Sequence, residues 1–290
     1  MLNPIEPRLI RSTAELSRWS EEQRVMGRRI ALVPTMGALH EGHVSLVRIG
    51  YNHADRVVVS IFVNPTQFGP AEDFARYPRD LARDLELLRK AGADVVFAPP
   101  VEEIYPAGDS TWVEVERLTS GLCGRSRPGH FRGVTTVVAR LFNAARPHVA
   151  VFGEKDYQQL AVVRRMARDL AFGIDVIGGP IVREPDGLAM SSRNALLSPR
   201  ARQQATALHA ALHEVRAALR AGVHDAAALC AVARQRIEKE PLAELDYVEL
   251  VSSDTLEPLR ELRGPAVLAL AVRFEGTRLI DNTLLNGETL

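Results

Sequence analysis

Through about the first 180 residues, short apolar runs alternate with amphipathic stretches. Residues 30–33, 57–63, 95–98, 112–115, 149–152 and 174–177 are strand candidates. Several are β-branched and apolar on both faces, as strands of a parallel sheet covered on both sides must be. Between them, apolar residues recur at helical spacing. Residues 14–26 form one such stretch. Residues 78–91 place Leu81, Leu85 and Leu88 on one face and stop at Gly92. Residues 134–145 carry Val134, Val137, Val138, Leu141 and Phe142, and residues 156–171 carry Leu160, Val163, Ala167 and Leu170 before Gly173. This alternation predicts an α/β fold, a Rossmann-like doubly wound parallel sheet with ligands at the carboxyl ends of its strands.

After Gly178-Gly179-Pro180 the pattern changes. Residues 199–221 and 225–240 read as Ala/Arg/Gln-rich helices, and residues 245–251, 266–272 and 278–280 read as strands. The last two strands face each other across Glu275-Gly276, a hairpin signal. The expected organisation is a Rossmann-like doubly wound domain over residues 1–181 and a smaller α+β domain over residues 182–290.

Composition narrows the function classes. Of 290 residues, 46% are hydrophobic and 25% charged, which suits a globular protein with a sizeable core. Lys+Arg and Asp+Glu both number 36, so no basic excess points to nucleic acid or an anionic membrane. Cys123 and Cys230 form neither a metal spacing nor a disulfide framework. The N-terminal residues lack an apolar signal-peptide core, and no run approaches membrane-spanning length. A cytoplasmic protein is expected.

The chemistry concentrates at strand ends. The apolar run 30–33 leads into Pro34-Thr35-Met36-Gly37-Ala38-Leu39-His40-Glu41-Gly42-His43, and a helix-compatible stretch follows. Backbone N–H groups at such a helix start favour anions, and His40 and His43, three apart, can converge on one ligand. Asn64 and Gln67, after the strand 57–63, are neutral hydrogen-bonders that suit a hydroxyl or carboxylate. They equally suit a polar turn at Pro65. The following segment, 69–78, is punctuated by Gly and Pro as a cover over a site would be. Gly153-Glu154-Lys155-Asp156 makes a second strand–glycine–helix turn, where Lys155 can meet phosphate and Asp156 can cap the helix or hold a ribose. Gln159 lies one turn on from Asp156. Met190-Ser191-Ser192-Arg193-Asn194 offers two hydroxyls and a guanidinium to a polyphosphate, or simply caps a helix. Arg127-Pro128-Gly129-His130-Phe131-Arg132-Gly133 reads as a loop feeding a core helix, with Arg132 able to meet an anion.

The long form PTMGALHEGH resembles the His-x-Gly-His signature of class I synthetases and nucleotidylyltransferases, and within them the pantothenate synthetase (pantoate–β-alanine ligase) family. VNPTQF, RPGHFRGV, GEKDYQQ and DGLAMSSRN are similar to further segments of that family, in its order, from residue 34 to 198. The C-terminal third resembles it in composition and length more than in motif. The lysine of the generic synthetase loop is missing before Ser191, so charge there falls on Arg193 and Lys155.

The resemblance implies that ATP, pantoate and β-alanine are substrates, that Mg²⁺ assists, and that a pantoyl adenylate forms before amide synthesis. It implies ATP binding by Met36, Gly37, Ala38, Leu39, His40, Glu41, Gly42, His43, Gly153, Glu154, Lys155, Asp156, Val182, Met190, Ser191, Ser192 and Arg193. His43, His40, Lys155 and Arg193 are the implied catalytic groups. Pro34, Asn64, Gln67 and Gln159 are assigned to pantoate or β-alanine, and Asp84 to Mg²⁺, although a lone helical Asp is ordinarily a solvated surface residue. A homodimer is implied as well. Two rivals stand beside this reading: another nucleotidylyltransferase, which would need a basic pocket for a phosphorylated substrate, and a non-catalytic nucleotide-binding regulator.

Overall fold

The computed structural model describes residues 6–69 and 74–286. Within it, β1 (Arg8–Ile10) and α1 (Thr13–Val25) precede β2 (Ile30–Thr35), α2 (Glu41–His53) and β3 (Arg56–Ile61). Then come α3 (Leu81–Ala91), β4 (Val95–Phe97), α4 (Val101–Ile104), α5 (Leu122–Ser126) and α6 (His130–Ala145). β5 (Val149–Gly153), α7 (Tyr157–Asp169) and β6 (Asp175–Gly179) complete the alternating part. The remainder holds α8 (Pro199–Gln204), α9 (Ala207–Arg220), α10 (Ala226–Ile237), β7 (Ala243–Ser252), β8 (Ala266–Phe274) and β9 (Thr277–Leu285).

The first six strands form one parallel sheet in the order β1-β4-β3-β2-β5-β6. From β2 the chain builds outward through β3 and β4, then returns to lay β5 and β6 on the other side of β2. Such a reversal opens a crevice at the carboxyl ends of β2 and β5, between which the strand order turns. Residues alternate between the two faces of the sheet. Ala31, Val33, Val57, Val59, Val96 and Val151 pack with Leu46 and Val47 of α2 and Leu88 of α3. Ile30, Leu32, Val58, Val95 and Phe97 are equally buried on the other side. There α1 and α6 pack on each other and on β2, with Ser17 Oγ donating to Ala144 O.

Two compact units can be distinguished. The first comprises the described residues up to Val115, Arg127–Glu154 and Gln159–Pro180; the second comprises Glu116–Ser126, Lys155–Gln158 and the described residues from Ile181 onward. In the second, β7, β8 and β9 form an antiparallel sheet with β8 in the middle. Its core joins Leu208 and Leu212 of α9 and Leu229 and Ile237 of α10 to Leu268 and Leu270 of β8.

Four sequence expectations need correction. Residues 112–115 are not a strand among the described residues. Val113 finds its partners on helix α6: its N–H donates to Thr136 Oγ1 (3.0 Å), and its carbonyl accepts from Thr135 Oγ1 (2.6 Å). Side-chain hydroxyls replace the sheet ladder there. β1 was not expected; it is three residues long and pairs only with β4, at the sheet edge. The expected helix over 199–221 divides into α8 and α9 at Ala205-Thr206. The helix expected from Pro78 starts at Leu81, where the Asp80 side chain accepts from Arg83 N (3.0 Å) and caps it.

Thr136 is 1% exposed. Its replacement by Val leaves the Val113 N–H without an acceptor, which costs about 1–3 kcal/mol. Urea unfolding of Thr136→Val is expected to show that loss with an unchanged slope, and an unchanged midpoint would contradict this pairing.

Candidate active site

The loop from β2 to α2 is built around a carboxylate that comes from α3. Asp84 is 1% exposed. Its Oδ2 accepts from Ala38 N (3.0 Å) and its Oδ1 from Leu39 N (2.8 Å). Burial pushes this carboxyl above its ordinary range, while the two amides pull it back toward ionisation. Gly37 precedes the contact with φ +77°, and a Cβ there would lie 2.9 Å from Asp84 Oδ2 and 3.1 Å from Ile61 Cγ2. Glycine is therefore required both for the turn and for room. Asp84 is thus neither solvated nor on the surface. It supports the loop from beneath.

The expectation that open backbone amides would receive an anion is corrected here. Gly37 N donates to Thr35 Oγ1 (3.2 Å), His40 N to His43 Nδ1 (3.3 Å), Gly42 N to His40 Nδ1 (3.2 Å) and His43 N to His40 O (2.8 Å). Together with the Ala38 and Leu39 amides on Asp84, six of the seven amides from 37 to 43 have partners inside the chain. Donors to a ligand must then come chiefly from side chains.

His40 and His43 are arranged for that. His40 is the N-cap of α2 and His43 its third residue, and each ring accepts one of the helix's first N–H groups in a capping box. A backbone N–H can only donate, so each ring must present a lone pair at Nδ1. The proton of each neutral imidazole therefore sits on Nε2. The ring centroids are 4.1 Å apart and tilted by 47°. Two neighbouring Nε2–H donors are what an oxygen-rich ligand such as phosphate accepts.

A second cluster of the same unit holds Gln67. Asn64 is 1% exposed, and its amide is occupied at both ends. Asn64 Oδ1 accepts from Tyr105 OH (2.8 Å) and Thr66 Oγ1 (2.9 Å), while Nδ2 donates to Gly133 O (3.1 Å) and to Gln67 Oε1 (3.0 Å). With its oxygen taken, Gln67 presents its amide nitrogen, which reaches Met36 Sδ at 3.1 Å. The backbone carbonyl of Gln67 accepts from Arg127 Nη2 (3.1 Å) and faces His130 Nδ1 (2.8 Å). Sequence reading gave Arg127, His130 and Tyr105 no role in this site. Arg132 instead stacks its exposed guanidinium over Trp112 at 4.6 Å. A Cβ on Gly133 would lie 2.4 Å from Thr66 O, so α6 touches this turn backbone to backbone. Gln159 is half-buried on α7, and Pro34 is half-buried in β2. Of the suggested cover over 69–78, residues 70–73 lie outside the described residues.

In the second unit, Lys155 is held from strand β9, where Asn282 Nδ2 donates to its carbonyl (2.9 Å). Burial depresses the Lys155 ammonium; Asp156 and Asp281 favour its charged form, and Arg193 opposes it. Asp156 is exposed. Met190 N donates to Val182 O (3.0 Å), pairing these two candidates at the base of a turn. Beyond it Ser191 accepts from Arg193 N (3.3 Å), so that its hydroxyl caps the short 3₁₀ turn Ser192–Leu196. Asn194 fixes this turn by donating to Glu184 Oε1 (2.7 Å) and Ala189 O (3.2 Å).

Comparison with known proteins gives the family this chain resembles. A family model described as pantoate-beta-alanine ligase matches residues 8–284. The pantothenate synthetase of Heliobacterium modesticaldum is 57% identical over 96% of this chain and 99% of its own length. That of Geobacter sulfurreducens is 54% identical over 97% and 99%. The crystal structure of pantothenate synthetase from Thermus thermophilus superposes with a TM-score of 0.90 at 48% identity, covering 95% of this chain and 98% of that one. A pantoate-beta-alanine ligase from Francisella tularensis, described as complexed with beta-gamma ATP and beta-alanine, superposes with a TM-score of 0.79 at 32% identity, covering 96% and 97%.

Two substitutions test the supports of this site. Asp84→Asn turns an N–H toward a backbone N–H and is expected to cost about 1–3 kcal/mol of stability while raising the KM for ATP. Urea titration and initial rates check it, and a variant with wild-type values in both would contradict the role of Asp84. Gly133→Ala is expected to lower stability by about 1–3 kcal/mol through overpacking and, by displacing the turn that carries Gln67, to raise the KM for pantoate. An unaffected KM would show that the turn tolerates displacement.

Proposed function

The chain belongs to the pantoate–β-alanine ligase family, and on that premise we propose how its residues carry the ATP-dependent joining of (R)-pantoate to β-alanine. A carboxylate oxygen of pantoate attacks the α-phosphorus of ATP, the bond to pyrophosphate breaks, and pantoyl adenylate remains on the enzyme. The amine of β-alanine then attacks the acyl carbon, loses a proton and displaces AMP, giving pantothenate. Neither step needs a protein nucleophile, so positioning and electrostatics carry the rate.

The observation that carries this reading is the pair of adjacent histidines whose Nδ1 atoms each accept a backbone N–H, which leaves Nε2 as the donor of each neutral ring. His43, with His40 beside it, is assigned to the charge that develops around the α-phosphate. Lys155, Ser191, Ser192 and Arg193 are assigned to the β- and γ-phosphates, Val182 and Met190 to the nucleotide. Gln67, aimed by Asn64, and Gln159 are assigned to pantoate, whose carboxylate and hydroxyls suit neutral partners. Asn64 acts through Gln67, because its own polar atoms are already paired. Mg²⁺, when bound, would neutralise triphosphate charge. Both Asp84 oxygens accept backbone N–H groups, and no group of three or more His, Cys, Asp or Glu able to hold a metal occurs among the described residues. The residues present do not form a protein cage for that ion, and no step is assigned to it. No described helix is long and apolar enough to cross a membrane. A cytoplasmic homodimer completes the proposal, and light scattering of the purified chain tests the dimer.

Pantoate-dependent exchange of pyrophosphate into ATP tests the reading directly. Exchange should require pantoate, and adding β-alanine should yield AMP and pantothenate in equal amounts. Exchange without pantoate, or only with a phosphorylated acceptor, would favour the rival nucleotidylyltransferase. His43→Ala should lower exchange by about 10²–10³, the typical effect of losing one preorganised donor. A near-wild-type rate would remove His43 from the reaction.

A further inference from the structure

Three consecutive polar residues, Asp281-Asn282-Thr283, are buried within β9, at 2%, 5% and 5% exposure. A strand points successive side chains to opposite faces, so both faces of β9 carry buried polar groups at this point. Asp281 and Asn282 pair in register with Leu270 and Ala269 of β8, which places them midway along the strand. A buried carboxylate persists only with dedicated partners. Asp281 has a two-pronged one, with Arg183 Nη1 donating to Oδ2 (2.6 Å) and Arg183 Nη2 donating to Oδ1 (3.0 Å). Its Oδ1 also accepts from Asn282 N (2.8 Å).

Each partner leads to an ATP-directed segment. Arg183 also donates to Gly187 O (3.0 Å), and it is bridged to Ala189 at the base of the turn that ends in Met190. That turn feeds Ser191-Ser192-Arg193. Asn282 Nδ2, on the neighbouring residue, donates to Lys155 O (2.9 Å). One strand thus anchors, by adjacent side chains, two segments that lie far apart in the chain.

We infer that Asp281 and Asn282 are positioning residues for adenylation: with Arg183 they lock Lys155 and the Ser191-Ser192-Arg193 loop to strand β9. The inference rests on the ATP-dependent reading above. The charged groups acting on Lys155 are Asp156 beside it, Arg193 from the loop and Asp281 from β9, with Arg183 behind Asp281. Arg193 repels the ammonium, so removing Asp281 leaves Asp156 alone to oppose burial and repulsion.

The test uses the full chain and both half-reactions. Asn282→Ala keeps every charge and should weaken pantoate-dependent ATP–pyrophosphate exchange by roughly ten- to hundredfold through misplacement of Lys155. Amide formation from supplied pantoyl adenylate should stay within about twofold of wild type, because the triphosphate is absent from that step. Asp281→Asn should move the alkaline limb of the exchange rate to lower pH, since loss of an opposite charge makes the amine easier to deprotonate. Asp281→Glu, which restores the charge, should move the limb back. If Asp281→Asn does not fold, Asn282→Ala decides alone. Equal losses in both half-reactions, or wild-type exchange in Asn282→Ala, would overturn the inference, as would an unmoved limb in folded Asp281→Asn. Wild-type chain that shows no exchange would instead overturn the underlying reading.

Discussion

The contact on which the site depends is the Asp84 carboxylate seated on the amides of Ala38 and Leu39. A glycine-bearing turn between a strand and a helix ordinarily leaves its N–H groups for an anionic ligand. Here an internal anion takes that place. The turn is thereby fixed before any ligand arrives, and in the proposed function the task of meeting phosphate falls to the rings of His40 and His43. Their Nδ1 atoms are occupied in capping α2, so helix formation itself sets which nitrogen carries the proton. In the proposed function, folding and catalysis share the same hydrogen bonds.

The same economy of construction recurs in the other clusters. Asn64 binds four residues of its own chain and in doing so turns the Gln67 amide so that its nitrogen, not its oxygen, is presented. In the second unit, a buried pair on β9 performs the analogous task for Lys155 and for the turn leading to Arg193. In each case a rigid element supports a short loop through side chains that never need to touch substrate. Enzymes that work by positioning need such support, because small misplacements of a donor cost large factors in rate.

The fold was legible because parallel strands buried on both faces read as continuous apolar runs, and the α/β alternation was unbroken from β2 to β6. It was misread where tertiary partners override pattern. Residues 112–115 have strand-like composition, but Val113 is paired with the hydroxyls of Thr135 and Thr136, a fact that no local window contains. β1 is too short for any periodicity to register. Of the site, contiguous motifs could be read and assembled ones could not. His40 and His43 announce themselves by spacing, whereas Asp84 lies 45 residues from Leu39, and its helical context suggested a solvated surface. Asp281 and Asn282 were hidden at the end of a predicted strand; three polar residues inside an otherwise apolar run were the signal available.

The central claim is that both histidines meet the nucleotide as neutral rings protonated at Nε2. Long-range ¹H–¹⁵N correlation spectra of the ¹⁵N-histidine-labelled protein, recorded at a pH where both rings are neutral, measure this directly. His40 and His43 should each show the pattern of the Nε2–H tautomer, with Nδ1 shifted as an unprotonated acceptor. A spectrum in which either ring carries its proton on Nδ1 would contradict it.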